Sequence, residues 1–416
     1  MCQLTILDLN EDCLRYICKN LLLVDQLRFA ATSKYIFNVV QMCSALKYKE
    51  FKLEQLMGLT FDEICIFLNT FGAYIESLSY FDIAFDLKQI LEACKNIKYL
   101  YFDSIEISSK LTSVLDTLHH HKYLQKLVCE NCTLEDEDII LLGKLTTLKC
   151  LNLRRNRRLT GKYLNEMVNV EELNLSYCMN LQSVHFVNVC KALKSLKKLN
   201  VEMCTRLTTS AFNEMVEYCP NLENLCISIQ YNINNKSVAQ LPKLTHLTII
   251  SAHTFPDAVG REPLFIALSK YKTEQLTHLY IEVGGFINYE AAKCISSLRG
   301  LKLLSCIICD ISDECLRELC TLENLEHLVF VNSEATSSGL FCLLKTFKKL
   351  KILDVRVCVQ INNSFIFDVI KLLRQEMLER ALPLTIRLHG TSVKADILKD
   401  ARFKDSSNLL QLCWEP

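Results

Sequence analysis

Several residue groups in this chain have the types and spacing that chemistry requires. Cys129-x-x-Cys132 and Cys306-x-x-Cys309 have the spacing of zinc ligands, and His119-His120-His121 places three imidazoles in a row. Cys94 and Cys219 are candidates for a thiol that carries an acyl group, a role that needs exposure and a lowered pKa. Arg154, Arg155, Arg157 and Arg158 form one dense basic cluster, and guanidinium forks bind phosphate or carboxylate through paired hydrogen bonds. Such a cluster suits an acidic peptide, a phosphorylated peptide or an inositol phosphate. No phosphate-binding P-loop, Gly-x-Ser-x-Gly or His-Glu-x-x-His motif is present.

The elements that must hold these residues are written in a repeat. Leu148-x-x-Leu151-x-Leu153-x-x-Asn156 is followed by Val170-x-x-Leu173-x-Leu175-x-x-Cys178 and Leu196-x-x-Leu199-x-Val201-x-x-Cys204. Self-similarity at a fixed step marks a solenoid, in which each unit buries its apolar face on its neighbours. Starts at Ile75, Ile97, Leu124, Leu148, Val170, Leu196, Leu222, Leu244, Leu276, Leu298, Leu325 and Leu350, with a degenerate strand at Leu384 to Leu388, extend the array over residues 73–390. Each unit is long enough for one strand, one turn and one helix.

The frame reassigns most of the apparent chemistry. Cys129 and Cys132 become the inward sixth and ninth positions of one unit, and Cys306 another ninth position. The matching frames Cys94-Lys-Asn-Ile97 and Cys219-Pro-Asn-Leu222 mark packing cysteines. His119 to His121 fall in a solvated loop before the Leu124 strand. Neither a metal site nor a catalytic constellation is expected, and no cofactor beyond a small anion on the arginines.

Side chains between the leucines face the other side of the strand and line a concave surface. That surface supplies Asn152, Arg154, Arg155, Asn174, Tyr177, Asn200, Glu202, His246, His278, Tyr280, Glu282 and His327 as candidate binding residues. The step from Leu244 to Leu276 carries Pro256, Gly260 and Pro263, so a protruding loop is expected there.

Lysine plus arginine and aspartate plus glutamate number 47 each, so no global field favours nucleic acid or an anionic membrane. No run reaches the roughly 18 apolar residues of a membrane span. Charges at Asp8, Glu11, Asp12, Arg15 and Lys19 interrupt any apolar signal core in the first twenty residues. The 22 cysteines are therefore expected as small buried hydrophobes in the reducing cytosol or nucleus, and the sequons at Asn131, Asn174, Asn235 and Asn362 as chance matches.

Residues 4–44 lie outside the repeat. Asn10 caps a helix with Glu11 and Asp12 in its first turn and Leu14, Ile17, Cys18 and Leu21 at helical spacing. Asp25 starts a second short helix through Leu27, Phe29 and Ala30, and Ser33 a third through Ile36, Phe37 and Val40. The run Leu9-Asn10-Glu11-Asp12-Cys13-Leu14-x-x-Ile17, with Leu21, Asp25, Leu27, Phe29, Ala30, Ser33 and Lys34, resembles an F-box. It departs from that family at Asn10, where proline is usual, and at Cys18, where an aromatic is usual. The array resembles the cysteine-containing leucine-rich repeats that often accompany F-boxes. The resemblance implies a Skp-type adaptor bound through Leu9, Leu14, Ile17, Leu21 and Leu27, a cullin scaffold reached through it, and a protein substrate on the concave face. Read without the resemblance, the helices are a cap over the first repeat.

The expected architecture is α/β: a three-helix module at 4–44, a helical connector at 45–72 with helices around Phe51 to Met57 and Phe61 to Leu68, the repeat array, and a C-terminal cap at 391–416 carrying Trp414. The expected function is that of a non-catalytic substrate receptor in a cullin-based ubiquitin ligase. The alternatives are a leucine-rich-repeat interaction scaffold and, more remotely, a ligase with its own cysteine thioester.

Overall fold

The computed structural model describes residues 5–44, 47–81, 87–104, 114–230, 233–251, 262–403 and 406–415. The chain divides into two compact units, Met1–Ser195 and Leu196–Pro416. Each is a stack of leucine-rich repeats built on a parallel sheet with helical segments between the strands.

The first unit opens with helices α1 (Glu11–Asn20), α2 (Leu23–Ala30) and α3 (Lys34–Ser44). Asn10 caps α1, its side-chain oxygen accepting from the Cys13 amide at 2.9 Å, and Ser33 does the same for α3 through Ile36. Asp25 does not cap α2. That helix begins two residues earlier, behind Leu22, and Asp25 lies in its first turn. Leu14, Cys18, Leu27, Ala30, Ile36, Val39 and Val40 are buried and close the module's own core. Each fully buried aliphatic side chain of this kind contributes on the order of 2 kcal/mol.

The stretch expected to be helical around Phe51 to Met57 instead starts with strand β1 (Glu50–Lys52), followed by a 3-10 turn at Leu53–Leu56. The frame explains it, because Tyr48-x-x-Phe51-x-Leu53-x-x-Leu56 is itself a repeat unit with all four marker positions buried. Helix α4 (Phe61–Phe71) follows, with a capping box between Thr60 and Glu63. Strands β2 (Ser77–Phe81), β3 (Tyr99–Asp103), β4 (Lys126–Glu130), β5 (Cys150–Asn152) and β6 (Glu172–Asn174) then pair in order, all parallel.

A buried glutamine ties the helical module to this sheet. Gln26 donates from Nε2 to the carbonyls of Cys18 (2.9 Å) and Leu21 (3.1 Å), and its Oε1 accepts from the Tyr48 hydroxyl at 2.9 Å. Tyr48 packs against Phe51, Phe67 and Phe71, which fixes the joint with aromatic contacts from β1 and α4.

In the second unit β7 (Lys198–Asn200), β8 (Asn224–Ile229), β9 (His246–Ser251), β10 (His278–Ile287), β11 (Leu303–Ile311), β12 (His327–Val331), β13 (Ile352–Asp354), β14 (Leu384–Arg387) and β15 (Leu410–Cys413) pair in order and in parallel. The tail expected as a cap therefore contributes a strand of its own, β15, and Trp414 donates to the Val393 carbonyl.

The register corrects one frame. His278 pairs with Leu303, and Leu303 with His327, so Leu303 is a third position and the unit starts at Leu301, not Leu298. Cys306 is then a sixth position and Cys309 the ninth. Helix Glu262–Tyr271 contains Pro263, whereas the loop expected at Pro256 and Gly260 lies outside the described residues, as do Leu4 and the start of the connector at Ala45.

Candidate functional site

The ninth position sets the turn at the end of each strand. Asn156 donates from Nδ2 to the carbonyls of Cys129 (2.7 Å) and Leu153 (2.8 Å), and its Oδ1 accepts from the amides of Cys132 (3.1 Å) and Leu134 (3.0 Å). Cysteines repeat the inward half of that pattern. The thiols of Cys132, Cys178, Cys309 and Cys358 donate to the carbonyls of Phe102 (3.7 Å), Leu153 (3.2 Å), Ile281 (3.7 Å) and Phe330 (2.9 Å), in each case the sixth residue of the preceding unit.

These thiols are not a reactive set. Burial pushes Cys94 and Cys178 up to about 12 and raises Cys129 and Cys306 well above the ordinary thiol range. A thiol held in its neutral form is a poor nucleophile and a poor metal ligand. Among the described residues no group of histidine, cysteine and acidic side chains is arranged to hold a metal ion.

One residue before the ninth, the backbone turns left-handed. Ser104, Asn131, Arg155 and Tyr177 in the first unit, and Met203, Ile308, Asn332 and Val357 in the second, have φ between 50° and 62°, and Gly390 lies at 73°. This conformation costs a non-glycine residue roughly 1 kcal/mol. Gly390 avoids that cost and Asn131 and Asn332 bear less of it, but the other residue types do not announce the column.

The candidate binding residues separate into three groups. The first is local structure: Asn152, Asn174 and Asn200 each accept from the amide two residues on (Arg154, Ser176 and Glu202, all 2.9 Å), and Asp354 does so from Arg356 at 3.2 Å. These fifth-position carbonyl oxygens bend the strand end and are already occupied.

The second group is a basic and aromatic cluster in the first unit. The guanidinium carbons of Arg154 and Arg155 lie 5.3 and 5.7 Å from the Tyr177 ring centroid, within cation–π range. Arg154 Nε stands 3.4 Å from Glu130 Oε1 without the alignment of a hydrogen bond, and both that Nε and the neighbouring Ser176 Oγ are shielded from water with no hydrogen-bond partner. Arg158 pairs with Glu135 at 2.6 Å. Arg155 and Arg157 are exposed.

The third group is in the second unit. His246 and His278 occupy partnered positions on β9 and β10, and their rings stack at 4.0 Å with an interplanar angle of 12°. Each Nδ1 is 2.8 Å from the hydroxyl of the preceding threonine, Thr245 or Thr277. Burial lowers the pKa of both; the Lys198 charge adds to this for His246, and His246, His327 and Lys302 add to it for His278. Glu223 and Glu326 oppose the shifts. His327 does not join the stack, because Leu303 stands between it and His278 in the register. Tyr280 is half-buried and Glu282 exposed on the same strand as His278, and Glu202 is half-buried after β7.

His119 and His120 are exposed with rings 3.8 Å apart, but His121 is buried rather than solvated, and its Nδ1 has no partner. All three line a cavity of about 530 Å³ together with Lys95 and Asp116.

Of the five residues expected to face an adaptor, Leu14 and Leu27 are fully buried, so they hold the helices together and present no surface. Ile17 and Leu21 are half-buried, and Leu9 is 39% exposed. The large apolar side chains the module exposes most are Leu22 at 76%, Tyr16 at 73% and Met42 at 60%, followed by Leu7 at 49% and Ile6 at 45%. Sequence reasoning missed Tyr16 because it falls outside the leucine spacing, and Leu22 because it stands at a helix boundary.

No family model matches the sequence, and no curated protein matches it. Among solved structures, the chain is similar to an internalin (inlF) from Listeria monocytogenes, with 18% identity, 78% of this chain and 83% of that chain covered, and a TM-score of 0.48. It is also similar to the Rad7 and Elc1 complex in yeast, at 16% identity with 74% and 76% covered and a TM-score of 0.40. A third is the TLR13–ssRNA13 complex, at 16% identity with 86% and 61% covered and a TM-score of 0.34.

Proposed function

We propose that this leucine-rich-repeat protein is the substrate receptor of a cullin-based ubiquitin ligase: the N-terminal helical module holds a Skp-type adaptor and the outward rows of the sheet hold a protein substrate. One observation carries the reading. The module resembling an F-box completes its own core with Leu14, Cys18 and Leu27, yet leaves Leu9, Tyr16 and Leu22 exposed. Large apolar side chains with no internal task are the material of a protein interface.

Such a receptor needs no acid, base or nucleophile of its own. It raises the effective concentration of a substrate lysine beside a ubiquitin-charged enzyme held elsewhere in the assembly. The buried joint at Gln26 and Tyr48 serves this role, because it fixes the helical module on the first strands.

Affinity purification of the full-length chain from cells tests the reading. The wild type retains the adaptor and the cullin, and a Tyr16→Asp/Leu22→Asp variant retains neither while keeping its thermal unfolding profile. Equal recovery of adaptor with both chains, or none with either, leaves the other reading, a repeat scaffold whose helices are a cap.

A further inference from the structure

We infer that the Arg154, Arg155 and Tyr177 surface receives a single phosphorylated serine or threonine of the protein partner, an assignment that rests on the receptor reading and names the class of segment it takes. The geometry supplies the parts. Two guanidiniums flank one aromatic ring at 5.3 and 5.7 Å, which restricts their rotamers before any ligand arrives. The backbone is left-handed at both Arg155 (φ 62°) and Tyr177 (φ 60°), which hold the same position in consecutive repeats. Beside them, Arg154 Nε, 3.4 Å from Glu130 Oε1, and Ser176 Oγ are water-shielded groups that make no hydrogen bond within the fold.

Charge selects the ligand. Glu130 offsets Arg154 and Glu135 offsets Arg158, whereas Arg155 and Arg157 have no ion-pair partner among the described residues. Two guanidiniums without an ion-pair partner match the charge of about −2 on a phosphate monoester near neutral pH. A carboxylate would compete with Glu130 for Arg154 on equal terms. A phosphate, with three acceptor oxygens, can engage Arg154 and Arg155 together. Nucleic acid fits poorly, because a phosphodiester backbone needs an extended basic track, and Glu130 and Glu135 already pair with two of the four arginines. An inositol polyphosphate would likewise need more unpaired cations than two.

The test uses the full-length protein, immobilised at physiological salt, and three degenerate peptide pools with random flanks around a central phosphoserine, serine or glutamate. The wild type is expected to retain the phosphoserine pool about tenfold better than the serine pool, as charge-assisted forks imply. Arg155→Glu abolishes the preference. Arg155→Gly, which suits the left-handed backbone and keeps the turn, lowers it severalfold, and Arg155→Lys restores part of it as a point charge. Equal retention of the phosphoserine and serine pools overturns the assignment. So does a glutamate pool held as well as the phosphoserine pool, or a preference unchanged by Arg155→Gly. Adaptor binding is measured on the same preparations: its loss with phosphoserine preference intact refutes the ligase reading alone, and its retention with no preference refutes the phosphate site alone.

Discussion

At the scale of single residues, the ninth position shows how one side chain holds a repeat together. Asn156 satisfies five backbone groups through five hydrogen bonds, whereas Cys178 contributes one weak thiol donor to Leu153. Asn156→Ala is expected to cost about 3 kcal/mol or more, since buried backbone groups lose their partners. Cys178→Ala is expected to cost about 1 kcal/mol. Urea denaturation orders the two; equal midpoints would show that the asparagine network is not what stabilises the turn. The stacked histidines give a pH signature. Both pKa values are lowered from 6.5 by burial, so the unfolded chain takes up protons that the folded chain resists. The contribution is fully present above 6.5 and is lost as pH falls through the lower folded values. The wild type should lose denaturation midpoint between pH 7 and pH 5 more steeply than His246→Gln/His278→Gln, and parallel profiles would contradict the coupling.

At the scale of elements, the leucine frame was legible where only one frame fits and ambiguous where two do. Leu298, Leu301, Leu303, Leu304, Cys306 and Cys309 satisfy the pattern from either Leu298 or Leu301, and only the pairing of Leu303 with His278 and His327 selects the second. Strand β1 was hidden for a related reason: Tyr48, Phe51, Leu53 and Leu56 carry the frame with aromatics where leucine is usual, and their spacing also suits a helix. The left-handed eighth column had little signal, because six of the nine residues that adopt it are neither glycine nor asparagine. Ile308 and Val357 are the β-branched residues there, at φ 56° and 62° and 47% and 42% exposed. Ile308→Gly should therefore stabilise the chain by about 1 kcal/mol, strain relief outweighing the added freedom of the unfolded chain. A lowered unfolding temperature would show that the exposed isoleucine is held by packing.

At the scale of the whole molecule, the sequence made the repeat architecture and the separate helical module visible, because both rest on apolar periodicity. It did not show which apolar residues each core consumes. Leu14 and Leu27 carry the pattern and are buried by it, while Tyr16 and Leu22, off the pattern, are left on the surface. Likewise Asn152, Asn174 and Asn200 face outward in the frame, yet their oxygens close local turns. Among the described residues no helix is long and apolar enough to cross a membrane. Partner recognition is proposed at two sets of side chains: the exposed apolar residues of the module, and Arg154 and Arg155 around Tyr177.

The most direct measurement is a calorimetric titration of purified Skp-type adaptor into the purified full-length chain. Saturable binding at one adaptor per chain is expected, with a negative heat-capacity change from apolar burial and at least about a tenfold loss of affinity in Leu22→Asp, a change of about 1.4 kcal/mol. No heat of binding to the intact chain, or binding unchanged by Leu22→Asp and Tyr16→Asp together, would contradict the receptor account.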